Sequence, residues 1–319
     1  MHRIRKRKLK EKDNKINSLK PKRDFKYYLV AYIDVLGQSS ILSKLKKLPR
    51  TSEENIEFTS AVRDSYGFVR HFRDSFYESV ELFKSYKGAP LPSWIPSEGE
   101  AILKKMKEMK VKIIVISDTV ILYSPIRDDD VPCPQHGIFA VLASMANIFF
   151  SALAIEKPCR AGIELGTAIV HDEGDIYGYA LYEAHRLESK VADYPRIVVG
   201  DELRNYLEFS RSAPRTDFLT HYSALTSQVC LELFGKDDDG EVILDYLGSS
   251  YKKYCFKESE STLAMFPESY RFIEECIKTF EKGKGIKDQE ILKKYKKLKC
   301  YFEKNISVWQ SEHTISENS

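Results

Sequence analysis

The sequence lacks the cysteine, histidine and leader patterns that identify several protein classes. Its six cysteines are scattered with no Cys-x-x-Cys pair, and its seven histidines include no His-Glu-x-x-His motif. A disulfide framework, a structural zinc site and a zinc-protease helix are therefore not expected. No apolar secretory segment precedes the first predicted strand, which favours a reduced, cytoplasmic location. The sequence also contains no internal repeat, so we do not expect a solenoid.

Positive charge is concentrated at the start of the 319-residue sequence. Residues 1–26 contain twelve Lys or Arg and three acidic residues, so they carry +9 and the remainder carries −6. A basic tail either contacts nucleic acid or anionic lipid, or is solvated. We predict a solvated tail and no direct nucleic-acid partner, because the acidic body has no basic strip interleaved with aromatic residues. The acidic run at 237–239 is interpreted as a solvated turn, since it lacks the downstream glutamate of a calcium loop.

The sequence has one long apolar run, at residues 138–155, and only Ser144, Asn147 and Ser151 interrupt it. Its length is borderline for a membrane span. Strand-like segments flank it on both sides, and a bilayer would separate strands that need one continuous sheet. We therefore predict a helix buried against that sheet and no membrane association.

Hydrophobic periodicity predicts an α+β fold with a mainly antiparallel sheet and helices on one or both faces. Apolar runs rich in β-branched and aromatic residues predict strands, of which the second is a hairpin turning at Ser117-Asp118-Thr119. The predicted strands are 27–36, 111–123, 160–170, 196–200 and 242–247. The predicted helices are 53–88, 138–155, 175–193, 202–208, 265–282 and 288–302, and the proline-containing segment 88–100 is a predicted loop.

Two aspartates interrupt the apolar strand segments. Asp34 lies near the end of the first predicted strand, and Asp118 lies at the turn of the hairpin. A buried, unpaired carboxylate is costly, so each needs compensation. A magnesium or manganese ion compensates the carboxylate charge, because hard cations prefer carboxylate, carbonyl and phosphate oxygens. For either aspartate alone, capping a turn or pairing with a nearby Lys or Arg is the favoured interpretation, and only the two aspartates together favour a metal site.

Three motifs, taken in order over residues 28–200, resemble those of class III adenylyl and guanylyl cyclases. The first is Tyr32-Ile33-Asp34-Val35-Leu36-Gly37 and the second is Ile116-Ser117-Asp118-Thr119. The third combines Arg160-Ala161-Gly162-Ile163-Glu164-Leu165-Gly166, Asp175-Ile176-Tyr177-Gly178 and Ala184-His185-Arg186-Leu187-Glu188-Ser189. The resemblance implies the ferredoxin-like cyclase fold in a catalytic domain at 27–262, between the tail at 1–26 and a helical extension at 263–319.

The resemblance also implies a two-metal mechanism. Asp34, Asp118 and the carbonyl of Val35 would hold two Mn²⁺ or Mg²⁺ ions. The ribose 3′ hydroxyl of a nucleoside triphosphate would then attack the α-phosphate and release pyrophosphate. Arg186 matches the arginine that stabilises the transition state from the partner subunit of a homodimer. Outside that role, Arg186 would be a surface residue paired with Glu183.

Departures from the family concern the nucleoside pocket. Tyr182 stands where the family has an asparagine one helical turn before Arg186, and is a candidate for ribose or base contact. Ile114 stands where adenylyl cyclases have a purine-reading lysine, whereas Asp175 matches their second adenine-reading position. With Tyr32 and Tyr182 adding aromatic bulk, we expect the pocket to suit a pyrimidine.

The combination of the motif at 32–37, the hairpin at 116–122 and the helix at 182–189 resembles the uridylate and cytidylate cyclases of the Pycsar antiphage defence system. That resemblance implies a cytoplasmic homodimer that makes cyclic UMP from UTP, with cyclic CMP from CTP as the alternative. The cyclic nucleotide would act as a second messenger on a separate effector protein. A degenerate cyclase domain that binds nucleotide without turnover is the alternative from another class.

Overall fold

The computed structural model describes residues 25–85, 97–126, 133–171 and 174–310. These residues form one mixed sheet with flanking helices, which confirms the predicted α+β class. The prediction of a solvated tail falls almost entirely on residues outside the described ranges. So do the predicted helix end at 86–88 and most of the predicted loop at 88–100.

The described residues contribute eight strands to one sheet, in the spatial order β2-β3-β1-β4-β6-β8-β7, with β5 paired to β4. All paired strands are antiparallel except β4 and β6. The strands are β1 Lys26–Val35, β2 Lys112–Ile116, β3 Thr119–Pro125, β4 Cys159–Val170, β5 Ile176–Gly178, β6 Ile197–Val199, β7 Phe234–Lys236 and β8 Val242–Leu244.

The helices lie between these strands and after them. They are α1 Gln38–Leu42, α2 Ser52–Val62, α3 Phe68–Ser85, α4 Ser97–Met106, α5 Pro134–Ala154, α6 Tyr179–Arg186, α7 Asp201–Ser212, α8 Phe218–Glu232, α9 Ser249–Tyr254, α10 Glu260–Leu263, α11 Met265–Glu281 and α12 Ile286–Gln310. A 3₁₀ turn, Ser43–Lys46, follows α1, and the π-helical turns Arg63–Gly67 and Leu187–Val191 follow α2 and α6.

The first four strands have the β-α-β-β-α-β connectivity of a split βαβ unit. Helices α1 to α4 lie between β1 and β2, and α5 connects β3 to β4. Strand β1 therefore lies between β3 and β4 and runs antiparallel to both, so its carboxyl end meets their amino ends. The register pairs Asp34 with Thr119 of β3 and with Arg160 of β4. This topology places Asp34 at the carboxyl end of an inner strand of the sheet.

Helix α5 is the buried helix predicted at 138–155, and it begins at Pro134. Among the described residues it is the one helix long and apolar enough to span a membrane, and 83% of its most apolar window is buried in the fold. It packs against α3, α8 and α11 and shares a hydrophobic cluster with the inner face of β1. The hydroxyl of Ser144 donates to the carbonyl of Ala140 at 2.6 Å, which satisfies a polar group inside this apolar helix.

The carboxyl-terminal helices share that same hydrophobic cluster. Helix α11 packs on α5, and α12 packs on α11. The Trp309 ring stacks on Phe266 at 5.7 Å and meets Phe256 edge-on at 4.8 Å, while its Nε1 donates to the carbonyl of Leu247 at 2.8 Å. The helices predicted at 265–282 and 288–302 are therefore observed as α11 and α12, and they complete the core around α5.

Several sequence predictions are corrected by the structure. The predicted loop is wrong at 97–100, because α4 begins at Ser97, and the predicted helix is wrong at 176–178, because these residues pair with β4 as β5. Helix α8 was not predicted, since its buried face includes Tyr222, Thr226 and Ser227 and has no clean apolar period. Long-range packing and strand pairing determine these segments more than local propensity does.

The acidic run at 237–239 is corrected only in part, because it forms a turn as predicted, but the turn is incompletely solvated. Asp237 and Asp239 both pair with the guanidinium of Arg196, which is buried. The hydroxyl of Tyr194 donates to Asp237 at 2.6 Å, and Lys304 of α12 pairs with Asp238. The run therefore joins β6 and α12 to the β7–β8 hairpin.

Candidate functional site

Side chains alternate between the two faces of β1, and this alternation positions Asp34. Leu29, Ala31, Ile33 and Val35 belong to the cluster that contains α5. Tyr28, Val30 and Tyr32 belong to a second cluster with Ala180 and Ala184 of α6. By the same alternation, Asp34 points to the face covered by α6 and the turn Leu187–Val191. Any chemistry of Asp34 thus occurs between the sheet and this helical segment.

Asp34 and Asp118 lie next to each other at the carboxyl end of β1. The hairpin turn predicted around Asp118 is confirmed, with Ser117 in the left-handed conformation at φ 57°. The backbone N–H of Val35 donates to the carbonyl of Asp118 at 3.2 Å, which attaches the turn to β1. Burial raises the pKa of Asp34, Arg160 opposes this increase, and the charge of Asp118 adds to it. The structure therefore brings together all three predicted metal ligands, Asp34, Val35 and Asp118.

Arg160 on β4 lies directly opposite Asp34 on β1, and it contacts two carboxylates. Its Nε and Nη2 are 3.3 and 3.2 Å from Oδ2 of Asp34, and its Nε is 2.6 Å from Oε1 of Glu188. The Glu188 side chain is only 3% exposed. Burial raises its pKa to about 7, Arg160 opposes this, and the charge of Asp34 contributes to it. Pairing with an arginine, the open alternative for either aspartate, is thus observed for Asp34.

The approach of Glu188 to Arg160 depends on Gly162. A Cβ atom at Gly162 would lie 2.2 Å from the carbonyl oxygen of Ala184, 2.5 Å from Cβ of Leu187 and 2.7 Å from the backbone nitrogen of Glu188. Only glycine leaves room for α6 and the following π-helical turn at this distance from β4. Single π-helical turns of this kind are frequent at functional sites.

Arg186 and Tyr182 lie on the outer side of α6. The Arg186 guanidinium donates through Nε to both carboxylate oxygens of Glu183 at 2.9 Å and through Nη2 at 2.7 Å. Its side chain is 42% exposed, and Tyr182 is 63% exposed. Within one chain, therefore, Arg186 has the surface pairing described as its alternative role, and its contacts do not include the two aspartates.

The structure brings only some of the predicted base-contacting residues close together. The Tyr32 ring lies 4.7 Å from the imidazole of His185, and both Tyr32 and Ile114 pack against the α6-side cluster. Asp175 is exposed at the edge of this cluster, where the neighbouring carbonyl of Gly174 accepts from the hydroxyl of Tyr123 at 2.7 Å. Tyr32 and Ile114 thus share a surface, Asp175 lies beside it, and Tyr182 points to solvent.

Sequence reasoning assigned no role to Arg160 or Glu188. Both residues occur in the third motif, where Arg160 begins the strand segment and Glu188 follows Arg186 by two positions. The signal that identifies them is the strand register, because Asp34 and Arg160 are direct partners in the β1–β4 pair. That register becomes visible only when the sheet is assembled.

The fit of this site to divalent cations follows from its charge and its donor atoms. Within the described ranges, no three His, Cys, Asp or Glu side chains lie close enough to form a metal centre on their own. Asp34, Asp118 and Glu188 bring three carboxylates to this end of the sheet, with Arg160 as their cationic neighbour. Two carboxylates with surplus negative charge fit a hard cation whose remaining ligands are phosphate and water oxygens.

Comparisons with known proteins do not place the chain in a family. No protein-family model matches the sequence, no curated protein matches it, and no solved structure matches it.

Proposed function

We propose that the protein is a nucleotidyl cyclase that converts a nucleoside triphosphate into a 3′,5′-cyclic monophosphate and pyrophosphate. The observation that carries the proposal is the convergence of Asp34 and Asp118 at one end of the central strand, from two separate motifs. The β-α-β-β-α-β connectivity and the central position of β1 support it, since they suit a ferredoxin-like cyclase domain. The sequence motifs supply the reaction type.

Each residue has a defined role in this proposal. Asp34, Asp118 and the carbonyl of Val35 would hold two Mn²⁺ or Mg²⁺ ions, which lower the pKa of the attacking hydroxyl and neutralise phosphate charge. Arg186 binds the negative charge that develops on the α-phosphate, because a guanidinium presents several donors to phosphate oxygens. Tyr32 and Ile114 contact the base, with Tyr182 and Asp175 at the margin of the surface that these two residues share.

A homodimer is part of the proposal, because one chain keeps Arg186 away from the aspartates. The arginine is half exposed and held by Glu183, on a surface that also exposes Tyr177, Tyr179 and Tyr182. Aromatic residues and arginine are enriched in protein interfaces. A two-fold pair of chains would complete two equivalent sites, each with the aspartates of one subunit and Arg186 of the other.

We propose a pyrimidine substrate, with UTP preferred and CTP as the alternative. Ile114 offers no hydrogen bond to a purine edge, and Tyr32 with His185 fills part of the same surface with aromatic rings. The cyclic UMP or cyclic CMP product would be a second messenger that acts on a separate effector in antiphage defence.

The direct test is incubation of the purified protein with each of the four ribonucleoside triphosphates and Mn²⁺, followed by chromatography of the products. We expect cyclic UMP or cyclic CMP, no product from Asp118→Ala, and normal turnover by Asp201→Ala, a matched change at an exposed residue of α7. A cyclic purine product would overturn the pyrimidine assignment alone. Absence of any cyclic product would favour the binding-only alternative.

The shared site has its own test. We expect Asp34→Ala and Arg186→Ala subunits to be inactive on their own, but a mixture contains heterodimers with one site that carries neither change. We expect the mixture to recover part of the wild-type activity. Heterodimers that form, as shown by differently tagged subunits, and yet stay inactive would exclude composite sites.

A further inference from the structure

Arg160 makes one short contact with Glu188 and two longer contacts with Asp34. The distance to Oε1 of Glu188 is 2.6 Å, whereas the distances to Oδ2 of Asp34 are 3.2 and 3.3 Å. The contact with Glu188 is a close ion pair that lacks hydrogen-bond geometry, whereas Nε donates a long hydrogen bond to Asp34. Glu188 is therefore the nearer charge partner of Arg160, and Asp34 is held by longer contacts.

The two carboxylates also differ in their access to solvent. The Glu188 side chain is 3% exposed, so its charge depends on Arg160 for compensation. The Asp34 side chain is 23% exposed and has Asp118 beside it, so a cation from solvent can reach it. A cation that binds Asp34 has only the long contacts to Arg160 to displace, and the short contact to Glu188 keeps the guanidinium compensated.

We propose that Arg160 is an internal counter-cation that competes with divalent metal for Asp34, and that Glu188 weakens this competition by holding the guanidinium. Arg160 and Glu188 are then positioning residues that set the metal affinity of the site. The inference rests on the proposed function, since it takes Asp34 as a metal ligand.

The inference predicts opposite effects from removing the two partners. Arg160→Gln removes the competing charge, so Mn²⁺ should bind about tenfold more tightly, which corresponds to about 1.4 kcal/mol. Glu188→Gln leaves Asp34 as the remaining carboxylate partner of Arg160 among the described residues, so Mn²⁺ should bind several-fold more weakly. Arg160→Lys keeps a positive charge and should stay near wild type. A purely structural role would weaken binding in both neutral variants.

The experiment is a Mn²⁺ titration of the full chain without nucleotide, with free Mn²⁺ measured by electron paramagnetic resonance. Circular dichroism checks that each variant is folded. Arg204→Gln is the matched control, because it removes an arginine that pairs with Asp201 at an exposed position of α7. Its Mn²⁺ affinity should equal that of the wild type.

Tighter binding by Arg160→Gln together with weaker binding by Glu188→Gln supports the inference. Unchanged or weaker binding by Arg160→Gln overturns it, and so does tighter or unchanged binding by Glu188→Gln, which decides alone if Arg160→Gln does not fold. Failure of the proposed function gives a different result, in which Asp118→Asn binds Mn²⁺ as well as the wild type does.

Discussion

Replacing Gly162 by alanine would place a methyl group between β4 and the helical segment that carries Arg186 and Glu188. The new Cβ would lie 2.2 Å from the carbonyl oxygen of Ala184 and 2.7 Å from the backbone nitrogen of Glu188. Both neighbours are backbone atoms, so a rotamer change cannot relieve the clash. The segment must move away from the sheet by about 1 Å to reach ordinary contact distance, and overpacking of this kind costs about 1–3 kcal/mol.

The same displacement carries Glu188 away from Arg160 and shifts Arg186. A misplacement of about 1 Å at a reacting group costs about 100-fold in rate, so cyclase activity should fall by about that factor. Urea unfolding measures the stability change, and product formation from the triphosphates measures the rate. The stability measurement stands whatever reaction the protein performs.

Gly67→Ala is the matched control for this prediction. A Cβ at Gly67 has only Cγ of Arg63 within 4 Å, at 3.9 Å, and the position is helical. Alanine should therefore stabilise the protein by about 0.5–1 kcal/mol and leave activity unchanged. The argument is refuted if Gly162→Ala unfolds at the same urea concentration as the wild type and keeps its activity.

Two further predictions concern the buried acid and the last helix. Because the folded protein keeps Glu188 protonated to a higher pH than the unfolded chain does, metal-free protein should lose stability between about pH 4.5 and pH 7, by at most about 3 kcal/mol. Glu188→Gln should remove this part of the pH dependence, and urea unfolding at several pH values would contradict the assignment if both proteins gave the same profile. Trp309→Ala removes the ring packed on Phe256 and Phe266 and should cost about 3–5 kcal/mol of unfolding free energy. A smaller loss, below about 1 kcal/mol in the same assay, would mean that α12 contributes little to the core.

The elements that the sequence predicted are those with a strong local pattern. The apolar run of β1, the hairpin around Asp118, the long strand β4 and helix α5 all appear within a few residues of their predicted bounds. Short or irregular elements escaped prediction. Strand β5 has three residues and exists through its pairing with β4, and α8 buries polar as well as apolar side chains. Local propensity carries little information about such segments.

Some features of the candidate site could likewise be predicted from the sequence, and others could not. The sequence by itself determined that Asp34 ends an apolar strand and that Asp118 sits at a hairpin turn, because burial and turn formation are local properties. Only the tertiary structure decided that Arg160 faces Asp34, that Gly162 admits the turn carrying Glu188, and that Arg186 turns outward. Those neighbours are set by strand order and register between segments far apart in the chain, and the free energy that selects one register comes from the assembled core.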